Sequence, residues 1–369
     1  MRHRTLGGLR VSAVGLGAMP LSIEGRPDEE RAVATVHAAL DAGVTLLDTA
    51  DSYHLPGAEP GHNERLVARA LASYGGDTSS VLVATKGGRG RPAGADWTVN
   101  GHPRHLRAAA EASRKRLGVE AIGLYQLHKP DPAVPFEESV GALRELLDAG
   151  TIRLAGVSNA DVGQIRRAHE ILGDRLVSVQ NRYSPAVRDS EPELRLCGEL
   201  GLAFLPWSPL GGLARSSLDG PSRTEGEQRF AAFHAVAAER GVSPQQVGLA
   251  WLLARSPAIL PIPGASRPRT IRDSAAAADL LLTAEERVRL DESAGPDRAW
   301  DVGDAAGWGV PTPLGRRDVR IRPRGSRHSP AARPDALPDR PCHAPALPAP
   351  GARVAPATLR RRRHSRTRT

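Results

Sequence analysis

The stretch Val44-Thr-Leu-Leu-Asp-Thr-Ala-Asp-Ser-Tyr53 decides how this chain is organised. Residues 44–47 form a short, mainly apolar run, which is typical of a strand buried on both faces of a parallel sheet. The side chains then become polar, and Asp48 and Tyr53 place a carboxylate and a phenol five residues apart just past the strand. Because α/β enzymes usually carry their chemistry at this end of a strand, the stretch predicts a functional site there.

Strand-like and helix-like runs alternate on either side of this stretch. The predicted strands are 12–16, 44–47, 81–85, 122–127, 152–157, 176–179, 202–205 and 258–262. The predicted helices are 28–43, 63–73, 103–117, 136–149, 161–172, 191–200, 228–240, 243–255 and 268–278. Eight strand–helix units over about 270 residues predict an α/β fold of the (β/α)8 TIM-barrel type.

Two segments outside the strand–helix units have their own predicted roles. Residues 4–10 predict an N-terminal hairpin that plugs one end of the barrel, and residues 87–100 predict an irregular, Gly-rich loop. Trp97 in that loop is expected either to line the pocket or to be an ordinary surface or core tryptophan.

A doubly wound sheet is the structural alternative to the barrel. Such a sheet usually carries a Gly-rich turn after its first strand. Here Gly15-Leu-Gly17 is followed by Pro20 instead of a third glycine, which favours the barrel.

Composition sets limits on the class of protein. With 369 residues and 40% hydrophobic side chains, the chain can bury the core of one large barrel. It has no apolar run near the roughly 18 residues of a membrane helix, and its first ten residues lack the apolar core of a signal peptide. Cys197 and Cys342 show neither disulfide nor metal-ligand spacing. These features predict a soluble cytoplasmic protein without membrane contact.

The net charge of +9 lies in the C-terminal segment. Residues 296–369 contain 16 Arg and 6 Asp, a balance of +10, so residues 1–295 carry 9 − 10 = −1. This segment also has 12 of the 31 prolines and no hydrophobic periodicity, which predicts disorder. We therefore expect a barrel domain over 1–295 and a disordered, basic tail over 296–369. A nucleic-acid-binding arm is the alternative, but the near-neutral barrel offers no basic patch to cooperate with it.

Chemically useful side chains follow the predicted strands, whose C-terminal ends converge on one mouth in a barrel. In chain order they are Asp48, Tyr53, Lys86, His128, Ser158, Asn159, Gln180, Trp207, Ser208 and Gly264. The choice of lysine at position 86 is informative, because only 3 lysines occur among the 50 basic residues.

The group of Asp, Tyr, Lys and His predicts proton donation to a carbonyl oxygen. A phenol has a pKa near ~10, too high for an efficient acid at neutral pH. A buried ammonium beside Tyr53 would favour the phenolate and lower that pKa, and a carboxylate would hold the ammonium in place. These groups, with a histidine to orient the oxygen, suit an alkoxide formed by hydride transfer.

The chain resembles the aldo-keto reductase superfamily in nine fragments that occur in family order over residues 4–294. They are 11–17 (VSAVGLG), 47–53 (LDTADSY), 61–64 (GHNE), 84–86 (ATK), 124–128 (LYQLH), 156–159 (GVSN), 179–180 (VQ), 206–210 (PWSPL) and 262–266 (IPGAS). The resemblance implies a (β/α)8 barrel and NADPH-dependent reduction of aldehydes or ketones without metal or flavin.

The same resemblance assigns roles to individual residues. Tyr53 would be the general acid, Lys86 and Asp48 would tune it, and His128 would orient the carbonyl. Ser158, Asn159 and Gln180 would hold the nicotinamide carboxamide, and Trp207 would stack on its ring. The remaining cofactor contacts would be Ser208, Leu210 and Gly212 along the pyrophosphate, and Gly264, Ala265, Ser266, Thr270 and Asp273 at the adenosine phosphate.

Several questions stay open at this point. The chain departs from the family pattern at Ser266, Thr270 and Ser274, so NADH is possible beside NADPH, with nearby arginines as substitute partners for a 2′-phosphate. The alternatives in function are a non-catalytic, NADPH-binding regulatory subunit and a metal-dependent hydrolase using His54, His62, Asp51 and His128. Variable loops choose the substrate on this scaffold, so sequence predicts a small carbonyl compound and leaves its identity and the oligomeric state open.

Overall fold

Seven parallel strands form the centre of the structure, a computed structural model that describes residues 1–94, 97–211, 213 and 230–293. Their bounds are β3 Leu16–Gly17, β4 Leu46–Asp48, β5 Leu82–Gly87, β8 Ile122–Leu127, β9 Ile152–Ser158, β10 Leu176–Gln180 and β11 Ala203–Phe204. Their order across the sheet is β11-β10-β9-β8-β5-β4-β3. Every neighbouring pair is parallel, which requires a crossover between consecutive strands.

An eighth segment closes this sheet into a barrel. On one side, Phe204 N–H donates to Ala258 O (2.8 Å) and Leu260 N–H donates to Phe204 O (2.8 Å). On the other side, Gly15 and Gly17 donate to the carbonyls of Pro261 and Pro263 at 2.9 and 3.0 Å. Pro261 and Pro263 have no backbone N–H to donate to β3, so this segment forms only isolated β-bridges with the neighbouring strands. The predicted (β/α)8 barrel is confirmed, although 258–262 is not a regular strand.

The helices lie around the sheet, with the bounds α1 Glu29–Asp41, α2 His62–Ser73, α3 Pro103–Leu117, α4 Phe136–Asp148, α5 Val162–Leu172, α6 Glu191–Leu200, α7 Ala231–Arg240, α8 Pro244–Arg255, α9 Pro268–Ala276 and α10 Ala284–Ser293. From α1 to α6 each helix packs beside the next, the same holds from α7 to α9, and α9 returns to pack on α1. Helix α10 packs on α7 and α8. Local signals fix their starts: Asp28 caps α1, and Asp161 with Gln164 forms a capping box on α5. No helix in the described part of the chain is long and apolar enough to cross a membrane.

The N-terminal hairpin closes the end of the barrel at which the strands begin. Strands β1 (His3–Leu6) and β2 (Leu9–Ser12) pair antiparallel around Gly7 and Gly8, whose φ angles are +54° and +80°. Leu6 and Val11 pack into the cluster that fills the barrel interior. Because that cluster includes residues at the beginnings of strands, such as Leu46 and Leu82, the hairpin plugs the N-terminal end as predicted.

Several predicted boundaries were wrong. Ser12 belongs to the hairpin and the first barrel strand is only Leu16–Gly17, so the predicted strand 12–16 merges two elements. The loop 87–100 contains a two-stranded ribbon, β6 (Arg89–Gly90) and β7 (Thr98–Val99), instead of being wholly irregular. Helix α10 had no predicted counterpart. The predicted tail, 296–369, lies outside the described residues.

Candidate active site

Lys86 joins the predicted catalytic residues at the C-terminal mouth of the barrel. Its Nζ donates to Asp48 Oδ2 (2.6 Å), to the carbonyl of Thr49 (2.8 Å) and to Tyr53 Oη (3.2 Å). Lys86 and Asp48 lie at the ends of adjacent strands, β5 and β4, and Tyr53 follows β4 on the next loop. The Lys86 side chain is completely buried, so these three oxygen atoms replace water as the hydrogen-bond acceptors of its ammonium group.

Asp48 is held from two directions. While Oδ2 accepts from Lys86, Oδ1 accepts from Gln180 Nε2 (2.8 Å) and from Gln126 Nε2 at a long 3.4 Å. A buried carboxylate needs such compensation, because burying an unpaired charge is strongly unfavourable. Gln180 is therefore a hydrogen-bond partner of the predicted catalytic carboxylate, in addition to the cofactor role that the resemblance implies. Gln126 was missed by the sequence analysis, although the fragment LYQLH contains it.

His128 lies beside Tyr53 at the end of β8. The two rings are 5.7 Å apart between centroids and meet edge to face at 83°. The backbone N–H of His128 donates to Gly87 O (2.9 Å), which ties the β8 and β5 ends together. Its ring Nδ1 lies 3.4 Å from Ser52 Oγ. The structure thus brings Asp48, Tyr53, Lys86 and His128 to one place.

The protonation states follow from burial and from the neighbouring charges. Burial alone lowers the pKa of Lys86, but Asp48 and Tyr53 outweigh it, and the net pKa lies above the ordinary value. Burial, with the cations Lys86 and Arg89, holds the pKa of His128 well below its usual range. At neutral pH the site therefore contains an ammonium and a neutral imidazole.

The pKa of Tyr53 differs from the sequence prediction. Burial raises it above the ordinary value, and the opposing effect of Lys86 is not large enough to reverse the shift. The predicted net lowering was wrong because desolvation penalises the phenolate more than one shared ammonium favours it. Tyr53 consequently holds its proton at neutral pH, as a proton donor must.

A cleft opens directly onto these side chains. Its volume is about 680 Å³, including the part open to solvent. The predicted cofactor contacts that line it are Ser158, Asn159, Gln180, Trp207, Ser208 and Gly264. Met19, Pro20 and Trp97 also line it. The cleft thus combines a buried polar floor with aromatic and apolar walls, which is the usual make-up of a ligand site.

A chain of amide and hydroxyl groups crosses the floor of the cleft. Ser158 Oγ donates to Gln180 O (2.7 Å), and Asn159 Nδ2 donates to Ser158 Oγ and to His128 O, both at 3.0 Å. Trp207 Nε1 donates to Asn159 Oδ1 (3.2 Å). Asn159 has a φ of +57°, in the left-handed region that asparagine tolerates better than most residues. This set of hydroxyl, amide and indole groups has the chemistry to bind a planar ring that carries a carboxamide.

Among the described residues, the other predicted cofactor contacts are not part of the cleft lining. Leu210 packs against the main hydrophobic core, and Ala265 is buried. Ser266 and Thr270 lie before and within the first turn of α9. Asp273 accepts hydrogen bonds from Ser243 Oγ and Gln246 Nε2, both at 2.7 Å, and so joins α9 to the start of α8. Gly212 lies outside the described residues.

A further charged residue of the cleft, Arg89, was also missed by the sequence analysis. It belongs to strand β6, which lies within the segment 87–100 that was predicted to be an irregular loop. Its side chain lines the cleft together with that of Trp97. A local signal was present, since an arginine follows the predicted strand end at Lys86 by three residues. That signal does not show where the side chain points.

The metal-hydrolase alternative finds no support in this geometry. Within the described residues, no three His, Cys, Asp or Glu side chains converge in a way that could hold a metal ion. His54 instead contacts the carbonyl of Leu55, and His62 contacts Ser22 Oγ, each at 2.8 Å.

Fold and site together define a (β/α)8 enzyme of the oxidoreductase class, and comparison with known proteins gives the family. The family model described as "Aldo/keto reductase family" matches residues 13–294. An uncharacterised oxidoreductase of Schizosaccharomyces pombe is 34% identical over 291 residues, covering 78% of this chain and 88% of the relative. The chain belongs to the aldo/keto reductase family.

Solved structures agree with this assignment. The glycerol dehydrogenase of Gluconobacter oxydans superposes with a TM-score of 0.69 and 27% identity, covering 85% of this chain and 98% of that one. An aldo/keto reductase of Klebsiella pneumoniae, solved in complex with NADP and acetate, superposes with a TM-score of 0.65 and 26% identity. The latter alignment covers 80% of this chain and 96% of the Klebsiella chain.

Proposed function

We propose that this protein reduces an aldehyde or ketone to the corresponding alcohol with NADPH, and that Tyr53 is the general acid. The observation that carries the proposal is the placement of Lys86 Nζ, which bonds both Asp48 and Tyr53 beneath an open cleft. When bound, NADPH supplies the hydride.

The protein side chains supply the proton and the electrostatic support. Tyr53 donates its hydroxyl proton to the carbonyl oxygen as negative charge develops there. Lys86 stabilises the phenolate that remains, at a distance of 3.2 Å from its oxygen. Asp48 keeps the ammonium charged and fixed, and neutral His128 directs the carbonyl oxygen toward Tyr53.

The cofactor contacts belong to the floor and wall of the same cleft. Ser158, Asn159 and Gln180 would hold the carboxamide of the nicotinamide, and Trp207 would cover one face of its ring. The Klebsiella relative binds NADP, which supports a phosphorylated cofactor here. Arg267, Arg269 and Arg272 are exposed at the start of α9 and are the available partners for the 2′-phosphate, while Ser266 and Thr270 leave NADH as an alternative.

The substitution Tyr53→Phe tests the proposal, with Tyr74→Phe as a matched control. Tyr74 is a tyrosine outside the cleft whose hydroxyl donates to Asp41. We expect Tyr53→Phe to lower turnover by about 10²- to 10⁴-fold, the usual contribution of a general acid. NADPH titration should show nearly unchanged binding, since the hydroxyl is not a predicted cofactor contact.

Two results would contradict the assignment. Wild-type turnover retained by Tyr53→Phe would remove Tyr53 as the acid. NADPH binding by the wild-type protein without oxidation across a panel of aldehydes would instead favour the non-catalytic regulatory subunit.

A further inference from the structure

The buried hydroxyl of Ser52 lies against the ring of His128. Ser52 is 1% exposed, precedes Tyr53 in the chain and takes no part in the proposed proton transfer. Its Oγ is 3.4 Å from His128 Nδ1, and this ring atom is the only hydrogen-bond partner of the hydroxyl among the described residues. The hydroxyl therefore faces a side chain that the proposed function places against the substrate.

Both partners of this contact are tied to the end of strand β5. In the loop that carries Ser52, the backbone N–H of Asp51 donates to Lys86 O (3.2 Å). At the end of β8, the backbone N–H of His128 donates to the next carbonyl of the same strand, Gly87 O (2.9 Å). Because one strand fixes both backbones, the serine hydroxyl and the imidazole meet before a substrate enters the cleft.

The two nitrogens of the His128 ring have different surroundings. Nδ1 faces Ser52 in the interior, whereas Nε2 has no hydrogen-bond partner among the described residues and is not one of the buried atoms that lack a partner. Since His128 lines the cleft, Nε2 is the ring nitrogen that a substrate can reach. At neutral pH the imidazole is uncharged, because burial and nearby cations hold its pKa well below the usual range. It therefore carries a single N–H, on one nitrogen or the other.

The Ser52 hydroxyl favours one of these two tautomers. With the proton on Nδ1, the ring would donate to Ser52 Oγ, the serine O–H would be buried without an acceptor, and Nε2 would present a lone pair to the cleft. With the proton on Nε2, the serine O–H donates to Nδ1 and the ring N–H points into the cleft. The second arrangement is favoured, because a buried hydroxyl donor without a partner is costly.

We propose that Ser52 is a positioning residue that holds His128 as the Nε2–H tautomer, so that the ring donates a hydrogen bond to the carbonyl oxygen of the substrate. This inference rests on the proposed carbonyl reduction and adds a residue that supports it. A lone pair at Nε2 would repel the oxygen on which negative charge develops, whereas an N–H donor stabilises that charge. Ser52 does not line the cleft and acts through the ring.

Histidine NMR of the protein without cofactor tests the tautomer directly. The 12 histidines of the chain are labelled with ¹⁵N, and the signals of His128 are identified as those missing from His128→Gln. In the wild-type protein we expect the pattern of an imidazole that is protonated at Nε2 and accepts a hydrogen bond at Nδ1. In Ser52→Ala the Nδ1 signal should move to the position of a nitrogen without a hydrogen bond. The wild-type measurement requires no variant of Ser52 to fold.

Steady-state reduction of butanal gives a second readout, with Ser22→Ala as the matched control. Ser22 is also buried, and its Oγ contacts Nδ1 of another histidine, His62, at 2.8 Å without lining the cleft. Ser52→Ala should lower kcat by about 2- to 10-fold, the contribution of one hydrogen bond, while the Kd of NADPH stays unchanged. Ser22→Ala should leave both kcat and the His128 signals unchanged.

The outcomes separate this inference from the proposed function. A wild-type His128 protonated at Nδ1, an Nδ1 signal that does not move in Ser52→Ala, or an unchanged kcat of that variant would overturn the role of Ser52 while the reductase assignment stands. A wild-type protein that shows the expected NMR pattern but reduces no carbonyl compound would overturn the proposed reduction, and with it the use of this tautomer.

Discussion

At the scale of single residues, Lys86 connects the stability of the protein to its chemistry. Its ammonium is fully buried and pairs with Asp48 at 2.6 Å. Lys86→Met would leave the Asp48 carboxylate buried without a cation, and we expect it to lower the free energy of unfolding by about 3–5 kcal/mol. Adding Asp48→Asn should restore much of that stability, because a neutral amide replaces the unpaired charge.

Activity should not follow stability in this series. Without the ammonium beside Tyr53, both Lys86→Met and the double variant should reduce carbonyl compounds far more slowly than wild type. Denaturant unfolding and steady-state turnover on the same preparations check the two effects. A double variant no more stable than Lys86→Met would show that the buried pair is not the cause of the loss.

Asp51 gives a second prediction at this scale. Burial and the nearby Glu64 raise its pKa to about 8, and its Oδ1 has no hydrogen-bond partner among the described residues. Since the folded-state pKa lies above the unfolded value near ~4, the protonated carboxyl favours folding at low pH. That contribution is complete below about pH 4 and is lost as the pH rises toward 8.

The variant Asp51→Asn should remove this pH dependence. Relative to wild type, it should gain stability between pH 5 and pH 8, by an amount on the order of a few kcal/mol. Unfolding midpoints at pH 5, 6.5 and 8 measure it, with the exposed Asp174→Asn as a control. A constant difference between Asp51→Asn and wild type across this range would mean that Asp51 does not titrate there.

At the scale of elements, the hairpin plug depends on a close approach at one glycine. A Cβ on Gly7 would lie 2.5 Å from Val177 Cγ1, whereas a Cβ on Gly8 would meet nothing within 4 Å. Both residues have positive φ, so alanine is strained at either position. Gly7→Ala should therefore destabilise the protein by about 1–3 kcal/mol more than Gly8→Ala, through overpacking. Equal losses in thermal unfolding would show that the hairpin does not press on β10.

The elements also show what sequence could and could not predict. The bounds of Ile122–Leu127 were predicted to the residue, because Ile122, Leu124, Tyr125 and Leu127 are mainly apolar and Gly118 and Pro130 mark turns on either side. Residues 258–262 were predicted in the right place, but they do not form the regular strand that was predicted. Pro261 and Pro263 lack N–H donors that a regular strand would use. The ribbon β6–β7 was missed, because two-residue strands carry no periodicity.

The same reasoning applies to the site. Asp48, Tyr53, Lys86 and His128 could be found because each stands at or just past a strand end, and a barrel brings such ends together. Arg89 could not be found in this way, because the direction of its side chain depends on the β6–β7 ribbon, which was not predicted. The pKa direction of Tyr53 was wrong for a related reason: burial is a property of the packed molecule, and its effect exceeded that of the one cation visible in the sequence.

At the scale of the whole molecule, the question is where the folded domain ends. The match to the family ends at residue 294, and α10 ends at Ser293. Helix α10 is part of the core, since Leu290 is fully buried and Asp291 accepts from the indole of Trp251 at 2.8 Å. Residues 296–369 carry the +10 balance, and their composition predicts that they add nothing to the core.

We therefore expect a chain ending at residue 295 to keep the fold and the activity of the full chain, with turnover within about twofold. A chain ending at residue 283 lacks α10, exposes the surface that Leu290 covers, and should unfold at a much lower temperature. Thermal unfolding and turnover of the three chains compare these cases. Removal of 296–369 should also change the net charge from +9 to −1 and abolish retention on a cation exchanger at neutral pH. If the chain ending at 295 unfolded as early as the one ending at 283, the tail would be part of the folded structure and the boundary at 295 would be wrong.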